Sequence, residues 1–265
     1  MILKKISITL LTLFCISEHT LNAQEYELEL GLGVGSIIYP DYIGSKSYNV
    51  LPLVFPYIEY HSPYLSVDED GINQKLFNNK NIKLDISVSG SLPSNSDENS
   101  MRKGMDNLNF TFEIGPKLSY KFYDKKDLQI YFDLATRVVF ETDLTMLNTQ
   151  GFVGTSEVRF ELEPIKDLEI TFRSGARFAN ARFHNYYYGV DREFVTPTRN
   201  YYDAHGGYSG YKNRLGATYK NNSWWYGAYI SYYNIKGSVY EDSPLIETKS
   251  AFFGGCSVAY IFYTH

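Results

Sequence analysis

Hydrophobic and polar residues alternate with a period of two along most of this chain, most clearly in "DNLNFTFEIGPKLSYKFY". Leu108, Phe110, Phe112, Ile114, Pro116, Leu118, Tyr120 and Phe122 share one face. Asn107, Asn109, Thr111, Glu113, Gly115, Lys117, Ser119 and Lys121 share the other. Successive side chains of a strand point to opposite faces, so this pattern predicts a strand with one apolar and one polar side. In "NIKLDISVSGSL", Ile82, Leu84, Ile86 and Val88 likewise oppose Lys83, Asp85, Ser87 and Ser89. Further strands are predicted over 128–141, 151–163 and 168–183, and in "YKNRLGATYK", "SWWYGAYISYY" and "SAFFGGCSVAYIFY". No segment of helical period competes with them.

The connections alternate between two kinds. Short polar turns are predicted at 123–127, 164–167 and 220–223, and long polar loops at 93–106, 142–150, 185–207 and 236–247. Short periplasmic turns and long outer loops are the asymmetry of an outer-membrane barrel, and several strands exceed the roughly ten residues that a tilted strand needs to cross a bilayer. If the last strand ends in the periplasm, the strand 82–92 runs outward and 78–81 is a periplasmic turn. Residues 48–77 must then hold an odd number of strands. They divide into 49–60, 64–67 and 72–77, turning at 61–63 and 68–71, for a total of about twelve. Ten strands is the alternative, with 48–77 as one bulged strand.

A lipocalin-like soluble barrel would show the same period with its apolar face turned inward. Aromatic residues at strand ends (Tyr120, Phe122, Tyr219, Trp224, Trp225, Tyr260, Phe262) favour interfacial girdles. Polar faces mixing glycine with charges of both signs (Glu157, Arg159 and Glu161; Arg173 and Arg177) favour a wet lumen. The expectation is therefore an all-β, transmembrane antiparallel β-barrel.

Composition agrees. Aromatic residues make up 17% of the chain while the hydropathy is slightly polar overall, as girdled strands with a wet inner face require. "MILKKISITLLTLFCISEHTLNAQ" has a basic start, a short apolar run and a small-residue site after Ala23, so residues 1–23 are expected to be a cleaved signal peptide and 24–265 the barrel. Cys15 reads as part of the apolar run, since bulky Phe14 does not suit a lipidation signal. Cys256 is then alone, so no internal disulfide is expected. The net charge of −5 and the dispersed Lys and Arg argue against nucleic acid as a partner.

"GLGVGSI" resembles a phosphate loop only as text, because no helix follows it. As a strand it places Glu25, Glu27, Glu29, Gly31, Gly33 and Gly35 on the lumen face and Tyr26, Leu28, Leu30, Leu32 and Val34 toward lipid. Absent side chains there would thin the lumen wall or let the strand coil. Gly31, Gly33 and Gly35, then Pro40, Asp41, Tyr42, Gly44 and Ser45, then "VLPLVFPYIEY", resemble the MltA-interacting-protein/OmpV family of outer-membrane proteins. The similarity extends to the size, the signal peptide and a closing Tyr260-x-Phe262, although Thr264 and His265 trail after Tyr263. The resemblance implies a barrel in the outer membrane, in contact with its lipid. It also implies an envelope scaffold that joins a murein transglycosylase to a murein synthase, with adhesion and permeability as other roles in the family.

Signals for chemistry are weak. Of His61, His184, His205 and His265, only His61 adjoins a serine, and that pair lies in a predicted turn. Neither a Gly-x-Ser-x-Gly motif nor metal-ligand spacing is present, so no catalytic residue, metal or cofactor is expected. The acidic turn 68–71 could bind calcium weakly, but it reads first as a solvated turn. The loop "HNYYYGVDREFVTPTRNYYDAHGGY" carries Tyr186, Tyr187, Tyr188, Arg192, Arg199, Tyr201 and Tyr202, residue types favoured in recognition. It reads either as an interaction loop or as a cover packed over the barrel mouth. The leading expectation is a non-enzymatic outer-membrane scaffold whose partner docks on a periplasmic rim including Asp124, Lys125, Lys126 and Lys166. A pore for small solutes is the second, and a lipid-modifying enzyme a distant third.

Overall fold

A computed structural model describes residues 26–68, 71–143 and 145–265. The expected signal peptide, Glu25 and the centre of the acidic turn lie outside the described residues. Twelve antiparallel strands form a closed barrel: β1 (Glu27–Pro40), β2 (Tyr48–His61), β3 (Leu65–Asp68), β4 (Gly71–Asn78), β5 (Ile82–Ser91), β6 (Phe110–Lys125), β7 (Leu128–Thr142), β8 (Leu147–Ile165), β9 (Leu168–Ala179), β10 (Gly207–Asn221), β11 (Trp224–Asn234) and β12 (Ser250–Thr264). Every strand pairs with its sequence neighbours, and β1 closes on β12 from Glu29↔Thr264 to Ile38↔Gly254. The three short-turned strands expected in 48–77 are β2, β3 and β4, which excludes the ten-strand alternative.

The two faces are sorted as in a membrane barrel. Leu32, Val54, Phe152, Ile230 and Phe262 are exposed on the outside, Val54 at 74%. Asp85, Glu113, Asp133 and Arg159 are buried, each under a tenth exposed. A soluble barrel would reverse this arrangement, so the lipocalin-like reading is excluded. Buried charges require partners, and Asp133, Arg159 and Glu113 have them. Arg159 pairs with Asp133 at 2.7 Å and with Glu161, and stacks over the Tyr131 ring. Arg177 Nη2 meets Glu113 at 2.6 Å. Lys220 bridges Glu29 and Glu59 at 2.9 and 2.7 Å, linking β10 to the first two strands.

Asp167 and Asn222 take left-handed conformations (φ 64° and 53°) in tight turns, a geometry that Asp and Asn tolerate best after glycine. Asn79 Oδ1 accepts from the Asn81 and Ile82 amides at the turn after β4.

Two expectations need correction. The strand predicted over 168–183 stops at Ala179, and helix α1 (Ala181–Tyr188) follows it. Asn180 ends the strand by capping the helix, with Oδ1 accepting from the Phe183 amide and also from Phe152. The loop predicted over 142–150 is shorter, because β8 already begins at Leu147. Gly151 (φ 110°) sits at a bulge that breaks the alternation, so the regular alternation in the sequence starts only there.

Candidate functional site

The outer mouth is covered by a lid made from four loops. Its core holds Tyr42 from the β1–β2 loop, Leu108 from the β5–β6 loop and Tyr188, Val190 and Ala204 from the β9–β10 connection. Ile235, Tyr240 and Leu245 come from the β11–β12 loop, and all eight are at most 4% exposed. The β9–β10 connection would otherwise leave a helix end and many aromatic rings exposed, and the core forms by burying them. Tyr188 stacks on Tyr240 with ring centroids 3.8 Å apart and planes 5° from parallel. Burial pushes the Tyr240 hydroxyl up to about 12 and raises Tyr188 well above the ordinary tyrosine range. Both rings stay neutral under physiological conditions.

Polar ties hold the loops together. Arg102 donates to Ser96 Oγ, to Asp106 O and, across the mouth, to Tyr187 O. Arg199 donates to the carbonyls of Phe194, Met101 and Lys103. Tyr42 Oη donates to Leu245 O at 2.6 Å. His184 is fully buried. Its Nδ1 lies 2.6 Å from the His205 carbonyl, which can only accept, so Nδ1 carries the proton and Nε2 accepts from Ser209 Oγ at 2.7 Å. Desolvation lowers the imidazole pKa and keeps this ring neutral. Although a serine and a histidine meet here, the lid buries both.

The structure brings most of the sequence-predicted residues into this assembly. Asp41 accepts from Asn49 and Asn99, and Ser45 Oγ accepts from Asn99. Gly44 (φ 111°) turns its carbonyl to accept from the Glu247 and Thr248 amides, and a Cβ there would meet Ile246 at 2.5 Å. The Pro40–Ser45 segment thus ties three loops together. Tyr186, Tyr187, Tyr188, Arg199 and Tyr202 are lid components, whereas Arg192 lies exposed over the exposed Tyr201 ring at 5.7 Å. Tyr187 reaches Ser91 and Thr111 on the far side of the mouth.

Gly31, Gly33 and Gly35 face the lumen as expected. A Cβ on Gly33 would strike the Phe55 ring, and one on Gly31 would come 2.5 Å from Tyr260 O. Aromatic rings therefore lie across bare backbone, and Phe55 and Trp225 pack on a small cluster of Tyr57, Ala259 and Ile261. Beside it is a lumen cavity of about 230 Å³ bordered by Leu53, Phe55, Trp225, Glu169, Arg173 and Arg214. A polar cleft of about 220 Å³ lies at the periplasmic mouth, lined by Glu59, His61, Lys126, Asp127, Glu161 and Glu163 among others. Ser62 Oγ bonds to the Leu65 backbone, and His61 lies near Glu59 and Asp68 at 3.9 and 3.8 Å. Among the described residues no cluster of three His, Cys, Asp or Glu could hold a metal.

Asn99, Arg102, His184 and Tyr240 are the lid residues that the sequence did not single out as a site. Asn99 and Arg102 stand in a polar run that reads as solvated. His184 and Tyr188 carried a signal, since Phe183/Tyr187 and His184/Tyr188 are helical i,i+4 pairs after a capping asparagine.

Among known proteins, outer membrane protein Omp26La of Vibrio anguillarum is 27% identical over 209 residues, covering 77% of this chain and 76% of that protein. Outer membrane protein OmpV of Vibrio cholerae serotype O1 is 26% identical over the same shares. The translocator domain of the autotransporter NalP from Neisseria meningitidis is 10% identical, with 97% of this chain and 96% of that one covered, at a TM-score of 0.38. A likeness that low adds nothing to the architecture already described. The model of the family described as MltA-interacting protein MipA matches residues 32–262, and the chain is an outer-membrane barrel that belongs to this family.

Proposed function

We propose that this protein is a non-enzymatic interaction scaffold of the cell envelope, whose partner is a murein transglycosylase docking on the periplasmic rim. The observation that carries the reading is the contrast between the two mouths. The outer mouth is covered by a lid with its own buried core, while the periplasmic mouth presents an open polar cleft. Asp127, Glu161 and Glu163 give the cleft an acidic wall, and Lys126 and the exposed Lys166 add cations at its edge. Such a rim suits a folded partner that carries complementary charge. The family description, which names an MltA-interacting protein, supports the same partner class. A murein synthase would then be recruited through the same assembly.

Binding of a purified MltA-type transglycosylase to the barrel in detergent micelles tests this reading. Asp127→Lys with Glu163→Lys is expected to weaken binding by about tenfold or more, chiefly through faster dissociation and a steeper loss with salt. No measurable binding by the unaltered barrel sinks the scaffold reading. The lumen cavity favours a second reading, a channel for small solutes. A stable unit conductance of the intact barrel in planar bilayers would replace the first reading with that one.

A further inference from the structure

Between β2 and β5 the barrel wall is the β3–β4 hairpin, and among the described residues the strand register of β3 with β2 covers Tyr60↔Val67 and His61↔Ser66. The Ser62 amide donates to Leu65 O across this junction. Backbone groups of a strand alternate edges from residue to residue. Tyr60, Ile58, Pro56, Val54, Pro52 and Val50 therefore all turn their backbone groups toward the β3 side. Beyond Tyr60, the register gives none of them a strand partner on that side among the described residues.

This free edge lies at lipid depth. Its outward side chains, Val50, Pro52, Val54, Pro56 and Ile58, are all exposed and run between Tyr48 and Tyr60 as between two girdles. Hydrocarbon cannot satisfy free amides and carbonyls, so the edge must border a wet opening. Pro52 and Pro56 remove two of its donors, which lessens that cost and also stops another strand from docking there. The β3–β4 hairpin bounds the opening below, and β2 and the upper end of β5 stand at its sides. Above it, the Asn99–Asp41 bond joins the two neighbouring loops. Two absent strands at ordinary spacing leave about 14 Å between backbones, enough for an acyl chain.

Behind the opening, Leu53 and Phe55 of the same rim strand line the lumen cavity, with Trp225 on another wall. Arg173 and Arg214 bring positive charge to the cavity, Arg214 stacking on Tyr229 at 4.3 Å, while among the described residues Glu169 is its one lining carboxylate. The lid covers the approach from outside. From the periplasm an anion would have to pass Glu59, Glu161, Glu163 and Glu169. We infer that the gap between β2 and β5 is a lateral window through which one acyl chain of an anionic amphiphile enters the lumen from the outer leaflet. Its tail lies against Leu53, Phe55 and Trp225, and its head faces Arg173 and Arg214. This site is independent of the periplasmic docking reading.

The test uses the full barrel in vesicles of phosphatidylethanolamine and phosphatidylglycerol, irradiated with one of two photoreactive probes. One is dodecanoic acid with a terminal diazirine, and the other is phosphatidylglycerol with the same group on one chain. Adducts are mapped by mass spectrometry on protein first shown to be folded by its heat-modifiable gel migration. The expected result is saturable labelling of Leu53, Phe55 or Trp225, and the probe that produces it tells whether a free acid or a lipid is the source. Leu53→Trp, which fills the cavity, removes that labelling. Arg214→Gln weakens it about tenfold or more, as loss of a charge-assisted contact should, while adducts on outward-facing Val54 are unchanged. Adducts confined to Val50, Val54 and Ile58 with both probes overturn the inference, as does lumen labelling that neither substitution alters.

Discussion

Asn99 Nδ2 donates to Asp41 Oδ2 at 2.7 Å, and through this bond the β5–β6 loop is fastened to the β1–β2 loop. Asn99 is fully buried and also reaches Ser45 Oγ at 3.1 Å, so its removal orphans acceptors that water reaches poorly. Asn99→Ala is expected to cost about 1–3 kcal/mol, confined to the lid. Amide exchange in 41–47 and 243–248 should accelerate while the strands keep their protection. Unchanged exchange in both loops would show that the bond does not hold the lid.

Lid stability should depend on pH through His184. Burial and the nearby Arg177 place its imidazole below the ordinary value of 6.5. The neutral ring accepts from Ser209, and the neighbouring Tyr188 and Tyr240 rings are uncharged and cannot stabilise an imidazolium ion as a carboxylate would. A closed lid therefore binds fewer protons than an open one in acid. Protection is complete above pH 6.5 and is lost as pH falls from there through the depressed value. Exchange of the α1 amides at pH 8 and pH 5, corrected for intrinsic rates, checks the direction. His184→Gln should flatten the dependence.

Tyr240→Ala removes the ring stacked on Tyr188 and the hydroxyl that donates to Ser209 O at 2.6 Å. Loss of a buried aromatic ring costs about 3–5 kcal/mol, here charged to the lid alone. Brief conductance events in planar bilayers are the expected result, against a silent unaltered barrel. A variant as silent as its parent would mean that side chains deeper in the lumen close the path.

Inside the barrel, Arg159→Met leaves Asp133 buried without its main partner and should destabilise by about 3–5 kcal/mol in urea titrations of the barrel in detergent. Adding Asp133→Leu should recover a large part of that loss, since two apolar residues replace a pair instead of stranding one charge. Glu161 limits the recovery, because it also loses Arg159.

The membrane strands were legible because one physical rule, lipid on one side and water on the other, imposes alternation on each of them. Even the short β3 and β4 followed from counting directions. The lid was not legible, because its partners are distant in sequence. Tyr42 meets Leu245, and Arg102 meets Tyr187, and neither pairing leaves a periodic mark. The recognition residues of 186–202 were read by type, but burial sorts them. Tyr187 and Arg199 are spent on the lid, and only Arg192 and Tyr201 remain at the surface. Pro52 and Pro56 marked the family in the sequence and gained a physical role only when the free edge of β2 was seen.

Leu28 and His265 exchange both backbone hydrogen bonds, at 3.0 and 2.9 Å, so the first strand and the last residue share one seam. Every other strand pairing joins elements adjacent in the chain and can zip locally. The seam has the longest loop to close, and contacts of that kind form slowly. The β1–β12 junction is therefore expected to close last as the barrel forms. Until it closes, the glycine-rich β1 is an open strand edge, able to pair with a strand of another chain.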